Sequence, residues 1–478
     1  MKRGYKDILW FVLLLILSSS LIIDGSGLFK FNFKVLEGFT SKHSLPAFSA
    51  KTWIDESFQD SLSTYIDNNF KLRPPMLRAY NEYKYRVFRK TNAAEVVLGK
   101  NNQCLQTGYI LEHTGDYFVG NNLIEERCKR IKYLQDTFQQ IGITMFVVFA
   151  PGKASFMPEN IPDRYLRSKY DENNYTCFVK NCDKYNIRTL DLQQYFDEIK
   201  DTVSYPLFPT NGIHWSEYGM YLALDTFLNY TAKISSKKIP ELTISGLKKT
   251  NKPQGEDYDV GKIMNLMLPL PEKTLAYPQF SKSDTTRPEL DILIVGDSFM
   301  FHWLKYKLGE YLFRHYNLWY YNVMVYPEFY QKELYNYSVN IKEELLKRDV
   351  IVLECTETFM HTAFWNFEDM AFKLFNPDYT PDAVFYYQND ITKDRKQFIS
   401  IFEKAKKSKR RLNDVLYEEA VYRAKTMPLG SVEYYVYSIK NSEQWLDLMK
   451  KQAREQGKHL DEIIMANAKW MTENDDYE

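Results

Sequence analysis

The sequence predicts an α/β protein in which a mostly parallel sheet is flanked by helices. Short continuous apolar segments, such as TMFVVFA at 144–150, are typical of buried parallel strands. Helical patterns such as 123–140 separate them, and covering both faces of a sheet is the simplest way to bury both kinds of element. The strand patterns fall at 144–150, 187–192, 291–295, 320–326 and 349–355.

The amino-acid composition limits the classes of function that the protein can have. The chain has 478 residues, 45% of them hydrophobic and 26% charged, so it has enough apolar side chains for a large core. The 62 basic and 62 acidic residues cancel, which argues against bulk nucleic-acid binding. Of the five cysteines, the pairs 177/182 and 104/128 are candidates for disulfides, and five free thiols are the alternative. No cysteine spacing resembles a zinc site, and we predict no metal or cofactor.

The N-terminus has the pattern of an export signal. Lys2, Arg3 and Lys6 precede an apolar run at 8–23 without a good cleavage site after it. We therefore predict an uncleaved signal anchor with its basic end in the cytoplasm, and a cleaved signal peptide is the alternative. Either way the rest of the chain is expected outside the cytoplasm, at the periplasmic face of the inner membrane or free in the periplasm.

Pattern changes divide the chain into four parts. The helical pattern of 53–90 is expected to break at Pro74-Pro75, and 432–472 predicts a pair of amphipathic helices. The predicted parts are a signal anchor at 1–25, a tether and helical preface at 26–94, a catalytic domain at 95–394 and a small helical appendage at 395–478.

A candidate nucleophile lies in the segment DILIVGDSF at 291–299. A strand pattern runs into Gly296 and Asp297, which support a tight corner, and so places Ser298 at the carboxyl end of a buried strand. A nucleophilic serine needs this placement, with its hydroxyl open to a base and backbone N–H groups near the developing oxyanion. The alternative is an ordinary turn in which the serine caps a helix.

A candidate base lies in the segment FPTNGIHWSEYG at 208–219. His214 sits between a turn and a helix that Ser216 can cap, so a loop at the edge of a rigid element holds the ring. The alternative is a partly buried histidine beside Trp215. Because open α/β sheets bind ligands at the carboxyl ends of their strands, we expect Ser298 to meet Lys153 and Glu357, which follow two other strands. Lys153 would stabilise negative charge on a substrate or cap the sheet.

Together these motifs resemble the alginate O-acetyltransferase (AlgX/AlgJ-like) family, whose catalytic domain is SGNH-hydrolase-like. The resemblance covers roughly 45–375, including FQDSLSTYIDNNFKLR, EVVLGKNN, APGKASFMPENIP, IHW and VGDSF, with the His-Trp motif before the serine motif. It implies that Ser298 takes an acetyl group, that His214 activates it, and that the Ser298 N–H helps to bind the oxyanion. It also implies a glycan substrate and a membrane-bound acyltransferase that supplies acetyl groups.

The chain departs from the family at the acidic position of the Asp-x-His-Trp motif. Gly212 stands there, and Asn211, three residues before the histidine, would fix the ring only through an uncharged hydrogen bond. A carboxylate from elsewhere is therefore expected. The candidates are Glu357, Glu354 and Asp297. We prefer Glu357 because it follows a strand end directly.

The predicted function is an extracytoplasmic O-acetyltransferase that modifies a polysaccharide or cell-surface glycan through an acetyl-serine. Two alternatives stay open. One is an SGNH-type carbohydrate esterase that uses the same residues with water as acceptor. The other is a non-catalytic glycan-binding protein of polysaccharide export, suggested by Gly212.

Overall fold

The computed structural model describes the chain from residue 4 to residue 474 with several gaps. The described ranges are 4–15, 33–38, 44–69, 72–167, 170–282, 284, 286–327 and 334–474. The predicted anchor falls partly outside them, because only 4–15 of its residues are described, as a helix that we call α1. Within these ranges no helix has both the length and the apolar character needed to cross a bilayer.

The described ranges form ten strands. They are β1 (Val96–Leu98), β2 (Cys104–Gln106), β3 (Thr144–Ala150), β4 (Thr189–Asp191), β5 (Thr243–Thr250), β6 (Leu275–Ser281), β7 (Asp291–Gly296), β8 (His315–Tyr320), β9 (Met324–Tyr326) and β10 (Val350–Thr356).

Helices precede, separate and follow these strands. After α1 they are α2 (Ala50–Ile54), α3 (Ser57–Asn69), α4 (Arg73–Phe88), α5 (Thr107–His113), α6 (Asn121–Gln140), α7 (Lys153–Phe156), α8 (Asp163–Leu166), α9 (Asn174–Lys184), α10 (Leu192–Ile199), α11 (Glu217–Ser235), α12 (Asp259–Ile263), α13 (Phe301–Lys305), α14 (Leu308–Leu312), α15 (Ile341–Leu346), α16 (Phe367–Phe375), α17 (Ala383–Lys393), α18 (Arg395–Ser408), α19 (Leu412–Thr426), α20 (Val432–Asn441), α21 (Glu443–Gln456) and α22 (Leu460–Glu473).

The central sheet has six strands in the order β4-β3-β10-β7-β8-β9. The first five are parallel, and β9 pairs antiparallel with β8, so the sheet is mixed. The prediction of a single strand over 320–326 is therefore wrong. Tyr321 and Asn322 adopt left-handed backbone angles, with φ of 53° and 51°, and form the turn between β8 and β9.

Helices cover both faces of this sheet, as the sequence predicted. Because side chains alternate along a strand, Phe146 and Val148 pack on one face with α11, whereas Met145 and Val147 pack on the other with α6 and α9. Each face has its own fully buried core, so the sheet is a rigid support for the residues at its ends.

Several predictions about the flanking segments need correction. The helical run of 53–90 does break beside Pro74 and Pro75: α3 ends at Asn69 and α4 begins at Arg73, with both prolines in its first turn, where their missing N–H groups cost nothing. The region predicted as two helices holds three, α20 to α22, which form a separate small core. By contrast, α18 and α19 pack against the sheet core through residues such as Phe398 and Leu416. All five cysteines are buried and free, and Cys177 and Cys182 lie on one helix, α9.

Candidate active site

The corner after β7 is built by hydrogen bonds of Asp297. Its Oδ1 accepts from the backbone N–H of Phe299 at 2.9 Å, which caps the 3₁₀ helix Ser298–Met300. Gly296 is required because a Cβ there would lie 2.6 Å from Glu354 Oε2. The backbone N–H of Ser298 has no acceptor in the described part of the chain, so it is available to an oxyanion.

His214 faces this serine from the loop before α11. Ser216 caps α11 as predicted, because its Oγ accepts from Gly219 N at 3.0 Å. The imidazole Nε2 lies 2.8 Å from Ser298 Oγ. Trp215 is fully buried and donates its indole N–H to His302 Nδ1 at 2.9 Å, which fixes the loop from behind. The structure thus brings the predicted serine and histidine into hydrogen-bond contact.

The carboxylate beside His214 is Asp259, which the sequence analysis missed. Its Oδ2 lies 2.7 Å from His214 Nδ1. Its Oδ1 accepts from Ile213 N at 3.0 Å and from Val260 N at 2.6 Å, so the orientation of the carboxylate is fixed. Asp259 begins α12 and is 45 residues from His214. No spacing rule links two residues so far apart, and the acids of the segment EDYD are not distinguishable by pattern.

The path of this segment explains why Gly212 replaces an acid. A Cβ at Gly212 would lie 2.8 Å from the carbonyl oxygen of Glu256 and 2.8 Å from Pro209 Cγ. A side chain there would collide with the turn that delivers Asp259. Asn211 does not contact His214 either, because its Nδ2 donates to Glu272 Oε2 at 3.0 Å and to Pro271 O at 2.9 Å.

The electrostatic environment of His214, between Ser298 and Asp259, suits a general base. Burial disfavours protonation of the His214 ring, but the hydrogen bond and the charge of Asp259 outweigh it, so the pKa of His214 lies above its ordinary value of 6.5. Asp259 is therefore placed to stabilise a positive charge on the His214 ring.

Glu357, the predicted partner of His214, lies elsewhere. Its Oε1 accepts from the hydroxyl of Ser155, which also lies 2.7 Å from His113 Nδ1. Burial raises the pKa of Glu357 to about 8. At the end of β10 the Glu357 side chain points toward α7, on the β3 side of the sheet. The carboxylate that contacts His214 is Asp259 instead.

The two other candidate carboxylates also make no hydrogen bond to His214. Glu354 Oε2 accepts from Asp297 N at 2.9 Å, and Asp297 Oδ2 accepts from Thr356 N at 3.0 Å. Burial, followed by the charge of Asp297, raises the pKa of Glu354 well above its usual range. Both residues therefore hold the ends of β7 and β10 together.

The pKa of Glu357 leads to a stability prediction. Between pH 5 and 8 the unfolded side chain is ionised while the folded one keeps its proton, so this group lowers stability as the pH rises. At about 1.4 kcal/mol per pKa unit, Glu357→Gln should remove up to about 4 kcal/mol of that decline. Urea unfolding of both proteins at pH 5 and pH 8 measures the difference. Identical pH dependence of the two would contradict the prediction.

Lys153 organises the histidine loop from beneath. Its Nζ is fully buried and donates to the carbonyls of Cys104 at 2.9 Å, Pro209 at 2.6 Å, Thr210 at 3.0 Å and Gly212 at 2.8 Å. Burial lowers its pKa to about 8. The ammonium is thus committed to backbone oxygens and does not face a substrate, which corrects the first of its two predicted roles.

Ser298 and His214 open into a cleft of about 490 Å³. Tyr321, from the turn between β8 and β9, places its side chain near Ser298, and its backbone N–H donates to Gly296 O at 2.9 Å. Apolar and aromatic side chains make up much of the remaining wall, with a few charged groups. The cleft is also lined by Glu95, Tyr117, Phe359, Trp365, Lys393, Arg395 and Phe398.

One group in the described ranges has the composition of a metal site. Glu217, Glu256 and His302 bring three potential ligand atoms within 4.8 Å of one another. However, Trp215 donates to Nδ1 of His302, so the neutral ring carries its proton on Nε2 and offers no lone pair toward the glutamates. Tyr306 also hydrogen-bonds to Glu217. The chemistry of this donor set fits a hydrogen-bonded cluster better than a metal site.

Comparisons with known proteins agree with the motifs. Residues 107–299 match the family described as ALGX: SGNH hydrolase-like domain, acetyltransferase AlgX. A search of curated proteins found no match.

Solved structures similar to this chain include two from Pseudomonas and one from Bacillus. The O-acetyltransferase domain of Pseudomonas putida AlgJ is 17% identical, with a TM-score of 0.39, over 56% of this chain and 92% of that one. Pseudomonas aeruginosa AlgX is 15% identical, with a TM-score of 0.38, over 57% and 64%. Bacillus cereus PatB1 with a sulfonyl adduct is 12% identical, with a TM-score of 0.36, over 56% and 97%. The predicted resemblance is confirmed: residues 107–299 match the model of the AlgX SGNH hydrolase-like family.

Proposed function

We propose that this protein is an O-acetyltransferase that acetylates hydroxyl groups of a polysaccharide or cell-surface glycan through an acetylated Ser298. The observation that carries the proposal is the continuous chain of hydrogen bonds from Ser298 Oγ through His214 to Asp259. This is the arrangement of groups that activates a serine for acyl transfer. The match to an acetyltransferase family over the same residues supports the choice of acyl group.

The first half-reaction acetylates the serine. His214 Nε2 takes the proton of Ser298 Oγ, and the oxygen attacks the carbonyl carbon of an acetyl donor. The Ser298 N–H, which has no acceptor among the described residues, donates to the resulting oxyanion, and such a donor typically lowers the barrier by about 3 kcal/mol. Collapse of the intermediate breaks the bond to the donor oxygen, which receives its proton from His214.

The second half-reaction returns the serine. A glycan hydroxyl enters the cleft, His214 takes its proton, and the hydroxyl oxygen attacks the acetyl carbon. The bond to Ser298 Oγ breaks, and the proton moves from the imidazolium back to that oxygen. Asp259 stabilises the imidazolium in both halves. Water in place of the glycan would give hydrolysis with the same residues.

The partners and location are also part of the proposal. The apolar residues of α1, which include exposed Leu9, Trp10 and Phe11, fit the N-terminal part of a membrane anchor. The chain would then act outside the cytoplasm, tethered to the membrane. We propose that a membrane-bound acyltransferase supplies the acetyl groups, as the resemblance to the AlgX/AlgJ-like family implies.

The test is to trap the acetyl group. We expect the protein to react with p-nitrophenyl acetate so that peptide mass spectrometry finds an acetyl group on Ser298, and to pass that group to an added oligosaccharide. Ser298→Ala should give neither product. Acetylation of other residues only, with Ser298 unmodified, would contradict the proposal. Rapid release of acetate at the same rate with and without oligosaccharide would instead identify an esterase.

A further inference from the structure

An aromatic cluster lies beside the nucleophile in the cleft. The ring centroids of Tyr321 and Phe359 are 5.3 Å apart, those of Tyr321 and Trp365 are 5.1 Å apart, and those of Phe359 and Trp365 are 5.6 Å apart. All three side chains line the cleft. Because Tyr321 lines the cleft near Ser298, the cluster begins close to the reacting atoms and extends away from them.

The backbone that carries Trp365 is strained. Four consecutive non-glycine residues, 363–366, have positive φ angles of 27°, 46°, 50° and 63°. Such conformations are unfavourable for residues with a Cβ and persist where the surroundings enforce them, often at ligand sites. Two features hold this segment in place: Ala363 and Phe364 are fully buried, and Asn322 Nδ2 donates to the carbonyl of Trp365 at 3.2 Å.

Trp365 itself is only half-buried and lines the cleft. In a core, the packing of a fully buried side chain would offset the cost of a strained backbone. The Trp365 indole does not gain that packing in full, because it stays partly open to solvent. The strained segment thus holds a flat apolar surface in the cleft, next to the ring of Tyr321.

The cleft has more room than an acetyl group needs. Its volume of about 490 Å³ is in the range of sites that hold whole small molecules. Charged groups stand on its rim, where Arg395 Nη2 donates to Glu95 Oε1 at 3.1 Å. A pyranose ring matches this combination, since its C–H faces are apolar and its edges carry hydroxyl groups that bind charged side chains.

We propose that Trp365 is the platform on which a pyranose ring of the acceptor glycan stacks, with Glu95 and Arg395 binding its hydroxyl groups. This deepens the proposed function and rests on it for the identity of the acceptor. Trp365 and Arg395 both lie beyond the residues that match the family, 107–299, so this binding site is assigned from the cleft of this chain alone.

Binding can be measured separately from catalysis. We expect cellotetraose or tetramannuronate to bind the Ser298→Ala protein in calorimetric titrations, and adding Trp365→Ala or Trp365→Leu to weaken that binding about tenfold or more. Trp365→Phe keeps a ring and should bind more tightly than the leucine variant. Trp470→Ala is the matched control, because that indole is 54% exposed on α22 and lies outside the cleft.

Activity gives a second readout. With an intact Ser298, Trp365→Leu should raise KM for the oligosaccharide about tenfold or more, whereas Trp470→Ala, outside the cleft, should leave that KM unchanged. Should Trp365→Ala fail to fold, the leucine variant decides. Unchanged binding in Trp365→Leu, or binding of neither oligosaccharide to the parent protein, overturns the inference. Binding that depends on Trp365 without acetyl transfer would sink the proposed function and leave this inference standing.

Discussion

Asp259→Asn is expected to lower kcat/KM for acetyl transfer by about 10³- to 10⁴-fold, because it removes the charge behind His214 and reverses the ring's tautomer. The backbone N–H groups of Ile213 and Val260 both point at Oδ1, so the asparagine must keep its oxygen there. Its NH₂ group then faces His214 Nδ1 and donates to it. The ring proton moves to Nε2, which can no longer accept the proton of Ser298.

The pH profile gives an independent check of the same prediction. Wild-type kcat/KM should fall on the acid side with a midpoint above pH 6.5, because Asp259 raises the pKa of His214 and only the neutral ring is a base. Without that charge, burial dominates, and the midpoint should move to lower pH. Steady-state kinetics with p-nitrophenyl acetate between pH 5 and 9 measures both effects.

Glu357→Gln is the matched control for this substitution. It also replaces a buried carboxylate at the carboxyl edge of the sheet, but one that contacts Ser155 and not His214. We expect its rate and its acid midpoint to stay close to the wild-type values. A large loss in Glu357→Gln combined with a normal rate in Asp259→Asn would reverse the assignment and restore Glu357 as the third catalytic residue.

Lys153→Met should destabilise the protein by about 3 kcal/mol or more and lower its activity as well. Methionine has a similar length but no donor, so four carbonyl oxygens lose the buried ammonium. The Thr210 oxygen keeps the backbone N–H of Cys104 at 2.9 Å, and each oxygen left unsatisfied costs about 1–3 kcal/mol. Three of these carbonyls belong to Pro209, Thr210 and Gly212, in the loop that carries His214. The distance between His214 Nε2 and Ser298 Oγ is therefore expected to vary, and this lowers the activity.

Urea unfolding and steady-state kinetics measure these two consequences. Lys100→Met is the control, because that ammonium makes a surface ion pair with Asp163 and its loss should cost at most about 1 kcal/mol. If Lys153→Met were as stable as the wild type but inactive, Lys153 would act on the substrate, as in the first of its two predicted roles. Equal stability and equal activity would show that the carbonyls find other donors.

Local patterns predicted the parts of the site that depend on local structure. A buried strand that runs into Gly296-Asp297-Ser298 fixes the serine at a strand end, and the turn before Ser216 fixes His214 at the start of a helix. Parallel strands then bring such ends to one edge. The same logic failed at 320–326, where an apolar and aromatic run conceals a left-handed turn at Tyr321 and Asn322. Asn322 is the one turn-favouring residue in that run, and a single asparagine among apolar and aromatic residues does not outweigh the strand pattern.

By itself, the sequence determined the α/β sandwich, the nucleophile corner, the histidine loop and their order along the chain. Each of these follows from side-chain periodicity or from turn residues within about ten positions. Only the tertiary structure decided which carboxylate meets His214, because the carbonyl of Glu256 fills the space beside Gly212 and Asp259 arrives behind it. Such a contact depends on the three-dimensional path of a loop, which leaves no period in the sequence.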